Sequence, residues 1–268
     1  MKLQVLVAAM NQTDHSLPDK MNISTDVIVG NQCGFDSIER FEKCGHSVTY
    51  LNFAERGVGL NRNNALMRAT GDICLFADDD MVYCDDYEKI VLKAFKTYRD
   101  ADVIVFNLRE KTPTRHIITR PGRVGRLNYL RYGTARIAFR LESIRKNGIF
   151  FNQCFGGGTP HCHGEDSLFL TACLDRGLVI RAVPDYIAAL TEERPSSWLT
   201  GYDEKYLRDQ GALYRAVSRR FWPLLCLQDA LRHRRAYQTA TFDAYRLMAA
   251  GAKSFTCSST RQQGEKEA

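Results

Sequence analysis

A short apolar run at residues 73–77 stops abruptly at three consecutive carboxylates, Asp78, Asp79 and Asp80. The run has no polar alternation, which predicts a strand buried on both faces, as in the parallel sheet of an α/β protein. Ligands of such sheets bind beyond the carboxyl ends of the strands, where the three aspartates stand. Adjacent like charges repel one another unless a cation or donor neutralises them, and clustered hard oxygens suit Mg²⁺ or Mn²⁺. The pattern indicates a metal that holds a phosphate; a solvated acidic turn that caps a helix is the alternative.

Short apolar runs alternate with helical patterns through the first hundred residues, as in repeated βα units. The expected strands are 3–9, 26–30, 47–53, 72–77, 102–107 and 178–183. The expected helices are 37–43, behind a capping box of Asp36 and Glu39, then 60–70, 87–98 and a helix from Gly164 to Arg176. We therefore expect one α/β domain over residues 1–203.

The composition is that of a globular protein, with 44% apolar and 25% charged residues among 268. No run approaches the roughly 20 apolar residues of a membrane span, and the start of the chain resembles a first strand more than a signal peptide. Nine cysteines without a CxxC spacing predict reduced thiols and a cytoplasmic protein. His161-Cys162-His163 predicts an exposed turn rather than a zinc site, because no fourth ligand is spaced to complete one.

The net charge of +6 is concentrated near the C-terminus, because residues 205–256 hold ten Lys and Arg against three Asp and Glu. We expect a basic helical extension over 204–250 and a tail over 251–268. Basic residues interleaved with Phe221, Trp222 and Leu224 suit an anionic membrane surface, so peripheral contact with the inner face of a membrane is one interpretation of 205–250. A core helix pair with a solvated basic face is the other. The segment lacks a recognisable nucleic-acid-binding module.

Four segments together resemble family 2 glycosyltransferases of the GT-A fold over residues 3–200. They are the first strand ending at Asn11, the segment 57–66, the aspartate triplet and Gly164-Glu165-Asp166. The resemblance implies a Rossmann-like, mainly parallel sheet flanked by helices. It also implies an inverting, metal-dependent glycosyltransferase of the hexosyltransferase type, which moves a sugar from a UDP-sugar to a hydroxyl of a glycan or lipid-linked acceptor in bacterial surface polysaccharide synthesis.

For the metal, the resemblance implies that Asp78 and Asp80 hold Mn²⁺ or Mg²⁺ and that Asp79 shares the metal or faces the ribose. In a second register, Ala77 replaces the first carboxylate, and Asp79 and Asp80 take the metal. Residues 192–193, two glutamates, are candidates for a further ligand; the nucleotide and water are the alternative.

The nucleotide sugar is expected to contact several residues that the resemblance assigns to it. The strand ends supply Asn11 and Asn31, the segment 57–66 supplies Arg62 and Asn63, and Arg194 would neutralise the departing diphosphate. For Arg62, a solvated arginine on a helix that follows a glycine turn is the alternative interpretation.

The pair Glu165-Asp166 resembles the acidic motif on the acceptor side. An acceptor hydroxyl must lose its proton as it attacks the anomeric carbon, and a carboxylate within about 3 Å can accept it. We expect Asp166 to be this base and Glu165 to bind acceptor hydroxyls, although both also suit the cap of the following helix. Gly157 and Trp198 are further candidates for acceptor contacts, Trp198 by stacking on a sugar ring.

Two other functions fit parts of the pattern. A sugar nucleotidyltransferase shares this fold type but would carry a glycine-rich, basic loop after the first strand, where the chain reads Ala8-Ala9-Met10-Asn11-Gln12. A non-catalytic carbohydrate-binding protein is disfavoured because both acidic motifs are present.

Overall fold

The computed structural model describes residues 1–112, 115–191 and 201–256. Within these ranges one sheet contains ten strands: β1 Leu3–Met10, β2 Asp26–Gln32, β3 Ser37–Lys43, β4 His46–Phe53, β5 Ile73–Asp78, β6 Met81–Tyr83, β7 Val103–Arg109, β8 Gly122–Val124, β9 Ile137–Arg140 and β10 Ile180–Leu190. The α-helices are α1 Leu17–Lys20, α2 Val58–Arg68, α3 Tyr87–Thr97, α4 Leu141–Lys146, α5 Glu165–Asp175, α6 Glu204–Val217, α7 Trp222–Arg232 and α8 Thr241–Ser254.

The strands lie in the order β3-β4-β2-β1-β5-β9-β7-β10-β6, with β8 beside β10. The sheet is mixed: β1 runs parallel to β2 and β5, whereas β9 runs antiparallel between β5 and β7. In this register Ala8 of β1 faces Asp78 of β5, and Met10 faces Gln32 of β2. The carboxyl ends of the three strands therefore meet at one edge of the sheet, as the α/β prediction requires.

Helices cover both faces of the sheet, which confirms the predicted fold class. Val5 of β1 packs in one layer with Val91 of α3, while the next residue, Leu6, packs in the other layer with Leu66 of α2 and Phe169 of α5. Because successive side chains of a strand point to opposite faces, a strand covered on both sides must be apolar throughout. This explains the uninterrupted apolar runs of the sequence.

Residues 37–43 form strand β3, so the predicted helix is wrong. Asp36 does not cap a helix; its Oδ1 instead accepts a hydrogen bond from the backbone N–H of Ala54, at 2.7 Å. Cys44 and Gly45 have φ of 51° and 80°, and a two-residue turn with positive φ at both positions is the favoured hairpin connection. The turn places β4 antiparallel to β3, so a hairpin forms here in place of the helix that the capping pattern predicted.

The C-terminal extension is a group of three helices, α6, α7 and α8, with its own apolar cluster around Leu207 and Met248. Helices α6 and α8 touch through their backbones. A Cβ added to Gly211 would lie 1.8 Å from the carbonyl oxygen of Met248, and one added to Gly251 would lie 2.0 Å from that of Arg208. Only glycine permits this approach. Helix α8 ends at Ser254, so the segment predicted as a tail from residue 251 begins inside a helix.

The extension is attached to the α/β domain through Asp209 of α6. This carboxylate accepts hydrogen bonds from His161 Nδ1 at 2.9 Å and from the Cys162 backbone N–H at 3.0 Å, while His163 Nε2 lies 2.7 Å from Gln210 Oε1. Burial opposes ionisation of Asp209, but the hydrogen bonds from His161 and Lys205 outweigh it and lower its pKa. The segment 161–163 is therefore half-buried and not the exposed turn that the sequence predicts. Across the described ranges, no helix has the length and apolar character needed to cross a membrane.

Candidate functional site

A cavity of about 1370 Å³ lies at the carboxyl edge of the sheet, between the α/β domain and the C-terminal extension. Its lining brings together predicted residues from four separate segments: Arg62, Asp78, Asp79, Asp80, Gly157, Glu165 and Asp166. Residues of α6 and α7 line it as well, so the extension completes a site that the sheet begins. We call this space the large cavity.

Arg62 lies between the aspartate triplet and the acidic pair. Its Nη2 donates to Asp78 Oδ1 at 2.6 Å and its Nη1 donates to Glu165 Oε1 at 2.9 Å, while the guanidinium carbon lies 5.4 Å from the centroid of the Phe151 ring. The side chain is only 6% exposed. Burial alone would lower the pKa of Arg62, but Asp78 and Glu165 more than offset it and raise the pKa. Arg62 is therefore a buried cation that joins the two acidic motifs, and not a solvated helix arginine.

The aspartate triplet begins with the last residue of β5, Asp78, and continues into the turn before β6. Asp79 Oδ2 accepts a hydrogen bond from Gln12 Nε2 at 3.4 Å, and the backbone carbonyl of Asp80 accepts one from Thr191 N–H at 2.9 Å. Burial, followed by the charges of Asp78 and Asp79, raises the pKa of Asp80. A divalent cation would relieve this repulsion, and the hard carboxylate oxygens fit Mg²⁺ or Mn²⁺. Within the part of the chain described, no three His, Cys, Asp or Glu side chains form a ready metal-binding group.

The acidic pair occupies the first turn of α5, which Gly164 opens with a φ of 108°. Glu165 has one oxygen in the ion pair with Arg62. Asp166 Oδ1 accepts a hydrogen bond from the Ser167 backbone N–H at 2.7 Å. Burial and the adjacent charge of Glu165 raise the pKa of Asp166 to about 7. A carboxylate with such a pKa accepts a proton most effectively near neutral pH, which is the property that a general base needs.

Two residues that were predicted to contact the nucleotide sugar, Asn63 and Asn31, are buried and bonded to neighbouring segments. Asn63 is buried and pairs with the backbone of Phe151, to which its Nδ2 donates at 2.9 Å and from which its Oδ1 accepts at 2.8 Å. Asn31 is also buried; its amide bonds the backbone N–H and carbonyl of Gln12 and the side chain of Asn52, at 2.8–3.0 Å. Both amides are thus used to hold neighbouring segments in place and do not line either cavity.

A smaller cavity of about 460 Å³ lies at the ends of β1 and β2, and Asn11 and Gln12 line it. Phe35 and Tyr50 supply aromatic rings to the same space. Because Gln12 also bonds Asp79, the smaller cavity adjoins the triplet. Planar aromatic and amide groups suit a nucleobase. The sequence pattern identified Asn11 but not Gln12 or Phe35; the position of Gln12 two residues after the end of β1 was the available signal.

The wall of the large cavity on the side of the extension is aromatic and polar, with Tyr202, Tyr206 and Tyr237 among its residues. Tyr237 donates its hydroxyl hydrogen bond to Asp229 Oδ2, and His233 Nδ1 lies 2.8 Å from Asp229 Oδ1. No motif in the sequence marked these residues. Of the remaining predictions, Arg194, Trp198 and the glutamates at 192–193 lie outside the described residues.

Comparisons with known proteins identify the family and the fold of the chain. The family model described as "Glycosyl transferase family 2" matches residues 36–174, more than half of the chain. A structure of S. aureus TarS 1–349 in complex with UDP-GlcNAc is similar with a TM-score of 0.63 and 16% identity, covering 94% of this chain and 92% of that chain. The complex of TarS 1–349 with UDP gives 0.58 and 16%, covering 94% and 70%. At this identity the likeness shows the fold, and no curated protein sequence matches.

Proposed function

The chain belongs to glycosyl transferase family 2, and from this premise we propose that it is an inverting, metal-dependent enzyme that transfers a sugar from a UDP-sugar to a hydroxyl of a glycan or lipid-linked acceptor. One observation carries the proposal: the aspartate triplet and Asp166 line the same cavity, with Arg62 bonded between the two acidic motifs. The UDP-GlcNAc bound in the TarS structure supports a uridine nucleotide as the donor. A role in bacterial surface polysaccharide synthesis completes the proposal.

The donor is proposed to lie across both cavities. Its base would occupy the smaller cavity beside Phe35 and Gln12, and its diphosphate would lie at the triplet. Support comes from Gln12, which lines the smaller cavity and also bonds Asp79 at the edge of the large one. The transferred sugar would then lie in the large cavity, facing Asp166.

The residues proposed to hold the divalent cation are Asp78, Asp79 and Asp80. When bound, the cation would supply positive charge that stabilises the departing diphosphate. The fit rests on the hard oxygen donors and on the raised pKa of Asp80, which burial and then the charges of Asp78 and Asp79 cause; a cation would offset these like charges. We expect the diphosphate and water to provide the other ligands.

Asp166 is proposed to accept the proton of the acceptor hydroxyl. As the acceptor oxygen bonds to the anomeric carbon, the bond from that carbon to the diphosphate breaks on the opposite face, which inverts the configuration. Arg62 holds Glu165 by an ion pair and so fixes the first turn of α5, where Asp166 stands. The aromatic wall with Tyr202 and Tyr206 is the proposed surface for the acceptor.

A nucleotide-sugar screen by thermal shift, with and without Mn²⁺, tests the proposal. A ligand that binds the native state raises the melting temperature, so we expect a UDP-sugar with Mn²⁺ to raise it more than either alone. The double variant Asp78→Ala/Asp80→Ala should lose this response, whereas Asp86→Asn, an exposed carboxylate on the approach to α3, should keep it.

Release of UDP, with and without added acceptors, then measures the reaction itself. The proposal would be abandoned if no nucleotide sugar shifted the melting temperature with Mn²⁺ or Mg²⁺. It would equally be abandoned if the double variant released UDP as fast as the native chain.

A further inference from the structure

Helix α7 carries a stripe of large apolar side chains that face solvent. Leu224, Leu227 and Leu231 fall on one face of the helix, and Leu224 and Leu231 are 62% and 55% exposed. Phe221, at the start of the helix, is exposed as well. The side that packs inward is instead that of Cys226 and Ala230, which are both buried. A core helix pair therefore accounts for one side of α7 and leaves the leucine stripe without a partner among the residues that the structure describes.

Positive charge surrounds the leucine stripe. The arginines at positions 219, 220, 232, 234 and 235 are all exposed. Between residues 219 and 235, a stretch that is described throughout, the acidic side chain is Asp229 alone, and it is buried in hydrogen bonds to Tyr237 and His233. The exposed face of α7 is thus apolar, and the exposed charges between residues 219 and 235 are all positive. This combination matches a bilayer with anionic headgroups, which offers negative charge above an apolar interior.

A second segment, on the rim of the large cavity, also combines exposed leucines with arginines, although Arg126 is paired with Asp175 at 2.5 Å. Leu127 is 100% exposed and Leu130 is exposed too, and Arg126 and Arg131 flank them. All four line the large cavity, as does α7 through Leu225, Gln228 and Arg232. Two segments about a hundred residues apart in the chain therefore border one cavity, and each segment carries exposed leucines and arginines.

We propose that α7 and residues 126–131 form a contact surface for an anionic lipid bilayer and place the rim of the large cavity against the headgroups. The leucines would enter the boundary between headgroups and acyl chains, and the arginines would bind lipid phosphates. The inference goes beyond the glycosyltransferase proposal, because binding of a bilayer requires neither donor nor acceptor.

Co-sedimentation of the full chain with lipid vesicles tests the surface. The vesicles contain phosphatidylcholine alone, or phosphatidylcholine with phosphatidylglycerol, each at low and high salt. We expect binding to the anionic vesicles at low salt, weakened by high salt, and little binding to phosphatidylcholine alone. The variant Leu224→Ser/Leu227→Ser/Leu231→Ser should bind at least about tenfold more weakly, since it removes the side chains that enter the bilayer.

Replacement of the arginines by Gln at 220, 234 and 235 should weaken binding by about fivefold for each charge removed. The matched control is Met67→Ser/Phe150→Ser, which removes two exposed apolar side chains far from α7 in the chain and should bind as the native chain does. Unchanged melting temperatures in all variants show that they are folded.

Three results would overturn the proposal. The first is no sedimentation with anionic vesicles at low salt. The second is an equal loss of binding in the Met67 and Phe150 control. The third is a native chain that binds no vesicles and is dimeric by light scattering, while the leucine variant is monomeric. In that case a second copy of the chain, and not a bilayer, would cover α7. None of these results would change the response to UDP-sugars, so the two proposals fail separately.

Discussion

Arg62 and Asp78 are joined by a hydrogen-bonded ion pair of 2.6 Å, which ties the second turn of helix α2 to the carboxyl end of β5. The same guanidinium bonds Glu165, 103 residues further along the chain. Two carboxylates that would otherwise repel each other share one buried cation. The arginine is therefore required for both the local stability and the arrangement of the acidic groups in the large cavity.

Replacement of Arg62 by Gln should leave Glu165 and Asp78 without their cation. Removing one partner of a buried ion pair is strongly destabilising, but the Asp78 side chain is 40% exposed and solvent screens part of the effect. We expect the free energy of unfolding to fall by about 2–4 kcal/mol, measured by urea denaturation. Arg40→Gln, at an exposed position on β3, is the control. Equal unfolding midpoints in the two variants would contradict the assigned role.

Replacement of Asp166 by Asn should separate catalysis from donor binding. The amide is nearly isosteric and can still accept the Ser167 hydrogen bond, but it cannot take up the proton of the acceptor. We expect transfer to fall by roughly 10²–10⁴-fold, with donor affinity by calorimetry nearly unchanged. Glu165→Gln is the comparison. Near-normal transfer in Asp166→Asn together with a loss in Glu165→Gln would show that Glu165, and not Asp166, is the base. Near-normal transfer in both variants would show that the two carboxylates serve only to cap the helix.

The rate of transfer should depend on pH through Asp166. Because burial and Glu165 raise its pKa to about 7, the carboxylate is protonated in acid and accepts a proton only above that pH. We expect kcat/KM to rise as the pH increases through about 7 and then to level off. A profile measured with saturating Mn²⁺ that shows no rise in this range would remove Asp166 as the base.

Asp166 should also make the free energy of unfolding depend on pH, but stability should fall as the pH rises, whereas the rate of transfer should increase. The pKa of Asp166 is raised above its ordinary value of 3.8 to about 7. Between these two pH values the native state therefore keeps a proton that the unfolded chain has already released. Stability from this group is present at low pH and is lost as the pH rises through about 7. Asp166→Asn should therefore gain stability relative to the native chain between about pH 4 and about pH 7 in urea denaturation. A constant difference across this range would contradict the assignment.

Replacement of Gly211 by Ala should disrupt the crossing of α6 and α8. The added Cβ would lie 1.8 Å from the Met248 carbonyl oxygen, so the two helices must separate. We expect a loss of at least about 2 kcal/mol in the free energy of unfolding. Gly122→Ala is the matched control, because a Cβ there meets nothing within 4 Å. If both variants unfolded alike, the backbone contact would not be what holds the extension together.

The fold could be predicted from the sequence where one local pattern dominated. The apolar runs at 73–77 and 103–106 favoured strands covered on both faces, whereas 37–43 carried two conflicting patterns. There the two-residue turn at Cys44 and Gly45 made the segment a strand of a hairpin, although the capping box had predicted a helix. Strand β9 was missed because it has only 4 residues and takes its place through pairing with β5 and β7.

The candidate site was predictable where residues follow a strand end or open a helix, as Asp78 and Asp166 do. The roles of Asn31 and Asn63 were not, because each amide is taken by a partner that only the folded chain brings near: Gln12 for the first and Phe151 for the second. Asn63 and Phe151 are 88 residues apart in the chain. No local pattern can register such a pairing.

The bonds from the segment 161–163 to Asp209 also bear on how chimeras of this chain would be built. A graft that exchanged the three C-terminal helices at residue 203, with the aim of changing acceptor choice, would remove the carboxylate that receives His161 and the Cys162 N–H. The protein from which the new helices are taken must therefore also supply its own segment equivalent to 161–163. Glu165 follows that segment almost at once, so recombination at this boundary would exchange part of the proposed catalytic turn along with the proposed acceptor surface.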